Sequence, residues 1–167
     1  MEAAEGKLSN VIRRRITGIV IAVVMAALWL LQGWPLRIGL VALMVLSMWE
    51  VYGAFLIRGA RPIRWVGLCY ALLALPVYRF GGVAALTPLT ALFCMLALGG
   101  VVLRGQIDFE SALATLFPLF YPGMLTAMLF PLQDLEPALI GRIATALMFL
   151  IPLMTDLFAY EYGTRFG

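Results

Sequence analysis

The sequence contains no histidine, and only 13% of its 167 residues are charged while 63% are hydrophobic. The first absence removes imidazole as base, nucleophile or metal ligand, so carboxylates, hydroxyls and backbone are the only chemistry on offer. Any metal used here should then be a hard one such as Mg²⁺. The second absence sets the class, because soluble domains carry about 25% charged residues. No soluble domain fits, and the chain reads as a polytopic membrane protein. Cysteine is also scarce: Cys69 and Cys94 lie inside apolar runs without a CxxC spacing, which reads as buried free thiols. There is no internal repeat and no low-complexity segment. The net charge of +3 is scattered among short loops and forms no solvated basic face, so nucleic acid is set aside as a partner.

What the chain does have is apolar runs. Residues 1–15 form a polar segment ending in Arg13-Arg14-Arg15, and Ile16 to Leu31 follows as a first span. A secretory signal would show a small-x-small cleavage site, whereas this run leads into Gln32-Gly33-Trp34-Pro35, so a retained span is expected. Leu36–Ile57, Trp65–Tyr78, Val83–Leu103, Ser111–Leu132 and a run reaching Gly163 complete a set of about six. The third is the shortest, at about 14 residues, nearer to a re-entrant or core segment than to a full crossing. The fifth is interrupted by Pro118 and by Tyr121-Pro122-Gly123. Either a kinked packing helix or a break lining a cavity would satisfy the carbonyls that those prolines leave free. The expected fold is all-α, one membrane domain over residues 1–167 with residues 1–15 as a cytoplasmic basic segment.

With the N-terminus in the cytoplasm, nine of the twelve basic residues fall on the cytoplasmic side, leaving Arg37, Arg79 and Arg142 opposite. The positive-inside rule therefore predicts N-in and C-in. This topology puts two carboxylates at one depth. Glu50 precedes Arg58 by eight residues and Asp156 precedes Arg165 by nine, which places both about 12–14 Å in from the cytoplasmic side. Together they can help hold a divalent cation and nucleotide phosphates, or serve as counter-ions for an arginine such as Arg61 or Arg64. Asp108, Glu110, Asp134 and Glu136 fall in loops, where solvation accounts for them, and Glu161 reads as an interface residue.

The most informative stretch is Thr155–Gly167. On a helix Asp156, Ala159, Tyr160 and Gly163 share one face at i, i+3, i+4 and i+7, presenting a carboxylate, a phenol and an open backbone position together. The pattern D-x-x-A-Y-x-x-G-x-x-F-G closing a membrane span resembles the phosphatidate cytidylyltransferase family, the CDP-diacylglycerol synthases. Arg13-Arg14-Arg15-Ile16-Thr17-Gly18 and Trp49-Glu50-Val51-Tyr52 are similar to less specific features of that family. The resemblance implies transfer of a cytidylyl group from CTP to phosphatidic acid, giving CDP-diacylglycerol and pyrophosphate with Mg²⁺ or another hard divalent cation. It implies a bacterial cytoplasmic membrane, and it allows a homodimer. Carried onto this chain, the substrate or metal vicinity is Asp156, Tyr160, Gly163 and Glu50, with Asp156 as the candidate metal ligand.

In that family a basic Ser/Pro/Lys/Thr segment and a C-terminal Lys/Asp/Gly/Arg signature follow the F-G, whereas this sequence stops at Gly167. The expectation is that these residues are the N-terminal portion of such an enzyme and are inactive alone. Three other readings stay open: a CTP-dependent kinase or cytidylyltransferase acting on another lipid, a six-span transport or assembly protein using Asp156 and Glu50, and acids that only lock helices together.

Overall fold

In a computed structural model the chain is described at residues 20, 23–24, 26–105 and 108–166, and all the elements among them are helical. The segment 1–15 and most of the first apolar run lie outside the described residues. A helical stretch over 26–31 is followed by α1 (Gly33–Ile57), α2 (Arg64–Leu103), α3 (Phe109–Pro118), a π-helical turn (Leu119–Met124), α4 (Leu125–Ala127), α5 (Leu129–Gln133) and α6 (Ala138–Phe166). Four stretches are long and apolar enough to cross a membrane: Gly33–Ile57, Arg64–Leu103, Phe109–Gln133 and Ala138–Arg165. They correspond to the second, the third with the fourth, the fifth and the sixth of the apolar runs.

α1 begins where the backbone can no longer continue the preceding helix. Gln32 and Gly33 both have positive φ, 52° and 59°, and the chain reverses there. Pro35 then falls in the first turn, where its missing N–H has no partner to lose. The buried residues of α1 are Leu36, Leu40, Met44, Met48 and Tyr52, a strict i, i+4 ridge. Much of the rest of its surface, Trp34, Ile38, Leu46 and Trp49 included, is exposed and apolar, as a lipid-facing helix requires.

The 40 residues of α2 are not one rod. Gly82 has φ 64° and ψ −162°, a region essentially reserved for glycine, and the helix turns back on itself there. A straight helix would hold residues 70 and 90 about 30 Å apart. Instead the Tyr70 and Thr90 hydroxyls are 3.0 Å apart, and the Tyr70 and Phe93 rings meet edge to face at 5.7 Å. Residues 64–81 and 83–103 are therefore an antiparallel pair. The third run is longer than expected, because helix continues past Tyr78 through Arg79 and Phe80 to Gly81.

The interrupted fifth run resolves as packing. Tyr121 leaves the helical region with ψ 132°, inside the π-helical turn that joins Pro118 to Leu125. Pro118, Leu119 and Gly123 at this break are buried, and a Cβ on Gly123 would meet Met48 and Tyr70 side chains. The break thus seats the helix against the aromatic core. Gly67 plays a comparable part: it lies directly under the Tyr52 hydroxyl, which donates to Thr115 O at 3.4 Å. Without a hydrophobic drive between helices inside lipid, such close contacts and buried hydrogen bonds hold the bundle together.

The helices alternate in direction, so the bundle has two ends. At one, Arg61 N donates to Ser111 Oγ at 3.0 Å and Ile63 N to Thr115 Oγ1 at 3.1 Å, tying the α1–α2 loop to α3. At the other, Arg37 forms an ion pair with Asp134, whose second oxygen accepts from Tyr78 Oη at 2.6 Å. Asp134 is therefore not a merely solvated loop acid, as its position after the fifth run suggested. It links the start of α1, the outgoing half of α2 and the end of α5.

Candidate functional site

α6 runs without interruption through the D-x-x-A-Y-x-x-G stretch, past Pro152 to Phe166. Pro152 removes one backbone donor, and three residues on Thr155 Oγ1 donates to Ile151 O at 2.8 Å. Continuity of the helix puts Asp156, Ala159, Tyr160 and Gly163 on one face, as the spacing requires. Gly163 keeps that face open, since an added Cβ would meet nothing within 4 Å. Below it, Arg165 and Glu161 form an i, i+4 pair at 3.2 Å, which gives Glu161 a partner on its own helix.

The face is presented, not enclosed. α6 packs against α5, Phe149 reaches the core, and the Trp29 indole donates to Arg142 O at 3.1 Å. From Leu150 onward every side chain with described burial is exposed, Asp156 among them. In a bilayer an ionised carboxylate on such an apolar helix is expensive unless it faces protein, water or a ligand. The geometry thus sets out a carboxylate that needs a partner beside a phenol and an open backbone position.

The structure does not bring the second carboxylate to the first. Glu50 is exposed on α1, and α1 and α6 make no backbone contact. Nor does Glu50 pair with an arginine among the described residues; Arg64 lies over the Trp49 ring instead, at 5.0 Å from its centroid. Among the described residues no three acidic or thiol side chains converge as a metal cage. Mg²⁺ bound to nucleotides commonly takes one or two protein carboxylates, with phosphates and water completing its shell. Asp156 fits as one such carboxylate, and Glu50 lies on a helix with no close backbone approach to α6.

The polar constellation that sequence reading missed is Arg37–Asp134–Tyr78. It lies at the end of the bundle where α6 begins, whereas Asp156 is about 27 Å further along that helix. Its signal was present in the topology, which put Arg37, Tyr78 and Asp134 on one side, but nothing in the spacing picks these three partners out of a loop.

Residues 12–167 match a family model described as "Cytidylyltransferase family". No curated protein and no solved structure matches the chain.

Proposed function

This chain belongs to the cytidylyltransferase family, and from that premise we propose that it serves the transfer of the cytidylyl group of CTP to phosphatidic acid. The observation that carries this reading is the family match over nearly the whole chain, ending on the D-x-x-A-Y-x-x-G face of α6. Family membership supports CTP-dependent cytidylyl transfer, and four long apolar helices suit an enzyme of the membrane. The lipid phosphate as acceptor, the bacterial cytoplasmic membrane and the N-in, C-in orientation are our proposals within that frame.

In this mechanism an oxygen of the lipid phosphate forms a bond to the α-phosphorus of CTP, the bond to the bridging oxygen breaks, and pyrophosphate leaves with that electron pair. The chain's share is positioning and electrostatics. Asp156 would hold a divalent cation, which when bound neutralises phosphate charge. The Tyr160 hydroxyl is a donor for a phosphate oxygen one turn further on. Gly163 lets a phosphate approach the backbone, where any side chain would stand in the way. Helix continuity from Asp156 to Gly163 keeps the three in register.

The test is label transfer. Membranes expressing the uninterrupted reading frame that contains these residues receive CTP labelled at the α-phosphate, with phosphatidic acid, diacylglycerol or a polyprenol phosphate. Label entering the lipid phase with phosphatidic acid alone supports the reading. Transfer to a polyprenol phosphate would leave the family in place and replace the substrate. The rival with a shared ion pathway would need Glu50 and Asp156 to act together, and their helices have no close backbone approach.

A further inference from the structure

We propose that the rim formed by Arg58, Arg61, Arg64 and Arg104 is a docking surface for the headgroup phosphates of anionic phospholipids in the surrounding bilayer. Arg58, Arg61 and Arg104 are exposed, and none of the four is in an ion pair among the described residues. A guanidinium presents its donors in a planar fork that matches a phosphate.

The rim is built rather than loose. Arg58 N and Ala60 N donate to Phe55 O, and Gly59 N donates to Leu56 O, with Gly59 at φ 92°. Ala60, Pro62 and Ile63 are buried, so the intervening Arg61 is held outward on a pinned backbone. Arg61 N is fixed to Ser111 Oγ, which in turn donates to Asp108 Oδ2 at 3.0 Å. A side chain of Ile63 lies against Gly100, which brings the end of α2 and Arg104 to the same end of the bundle. The backbone that carries these side chains therefore needs no ordering when the surface is occupied.

The apolar neighbours decide for a lipid over a soluble anion. Ile57 and Leu103 are both 89% exposed, Phe109 is 80% and Trp65 is 72% exposed. Such a collar beside arginines is what a membrane interface accommodates, with acyl chains against the collar and headgroups at the guanidinium level. The acidic groups nearby are Glu50, Asp108 and Glu110. Asp108 accepts from Ser111, Glu110 lies in the first turn of α3 where the helix dipole favours it, and none of the three is in an ion pair among the described residues.

The reading is independent of cytidylyl transfer, and its test contains no CTP. The purified full chain in neutral detergent is unfolded thermally with added phosphatidylcholine or phosphatidylglycerol. Phosphatidylglycerol should raise the midpoint above the phosphatidylcholine value by roughly 5–10 °C, the size expected of a ligand at about a hundredfold over its Kd. R58Q/R61Q/R104Q should lose most of that increment, and R79Q/R142Q, altered at the other end of the bundle, should keep it. R58Q/R61Q serves if the triple variant does not fold, and it should lose about half. Equal midpoints with the two lipids would overturn the proposal, as would an increment that survives in the rim variants or disappears equally in R79Q/R142Q.

Discussion

Asp134 carries more of the fold than any other acid among the described residues. Its partner Arg37 has a side chain only 14% exposed, and the Tyr78 hydroxyl points to its other oxygen. Asp134→Ala strands a nearly buried cation and a hydroxyl together, which should cost about 1–3 kcal/mol. Thermal unfolding in detergent measures it, and Glu161→Ala is the control. That residue pairs with Arg165 on an exposed helical surface, and its loss should cost less than about 0.5 kcal/mol. Gly67→Ala makes a second prediction at this scale. The new Cβ would collide with the Tyr52 hydroxyl in the core, so the unfolding midpoint should fall by the equivalent of about 1–3 kcal/mol. The two cases differ in legibility. A glycine inside an apolar run says that something approaches closely without saying what, and Asp134 was read as solvated because its partners lie 97 and 56 residues away.

At the scale of elements, the runs and their interruptions were legible because hydropathy and the residues that break helices are local properties. The third and fourth runs were separated by residues 79–82, and Gly82 is where α2 turns back. Pro118 and Pro122 marked the break in the fifth run, and in the structure its Gly123 is packed against Met48 and Tyr70. What the pattern could not give is which side of each run faces inward. α1 has apolar residues on every side, so the Leu36–Tyr52 ridge emerges only once α2 and α3 lie against it. The α2 hairpin makes its own prediction. Gly82→Ala places a side chain at φ 64°, ψ −162°, and should destabilise by about 1–3 kcal/mol. Gly99→Ala, within the same element with nothing within 4 Å of an added Cβ, should be neutral or stabilising by up to about 1 kcal/mol. Equal losses at the two positions would contradict the hairpin.

For the molecule as a whole, the bundle separates stability from chemistry. The aromatic core and the Arg37–Asp134–Tyr78 link hold α1, α2, α3 and α5 together, while α6 leaves the bundle after Phe149 and presents the Asp156 face outward. The motif was legible because one helix carries all of it. The expected proximity in depth of Glu50 gave no contact, because equal depth on two helices says nothing about lateral distance. A substitution on the outward face should therefore alter catalysis without altering the fold. The measurement that tests this most directly is α-phosphate label transfer from CTP to phosphatidic acid by the uninterrupted reading frame carrying Asp156→Asn, alongside the parent and with unfolding midpoints recorded for both. The account predicts a loss on the order of 100-fold or more, the scale of removing one preorganised electrostatic group, at an unchanged midpoint. Near-parental transfer by the Asn variant would contradict it and leave Asp156 as a helix-packing residue.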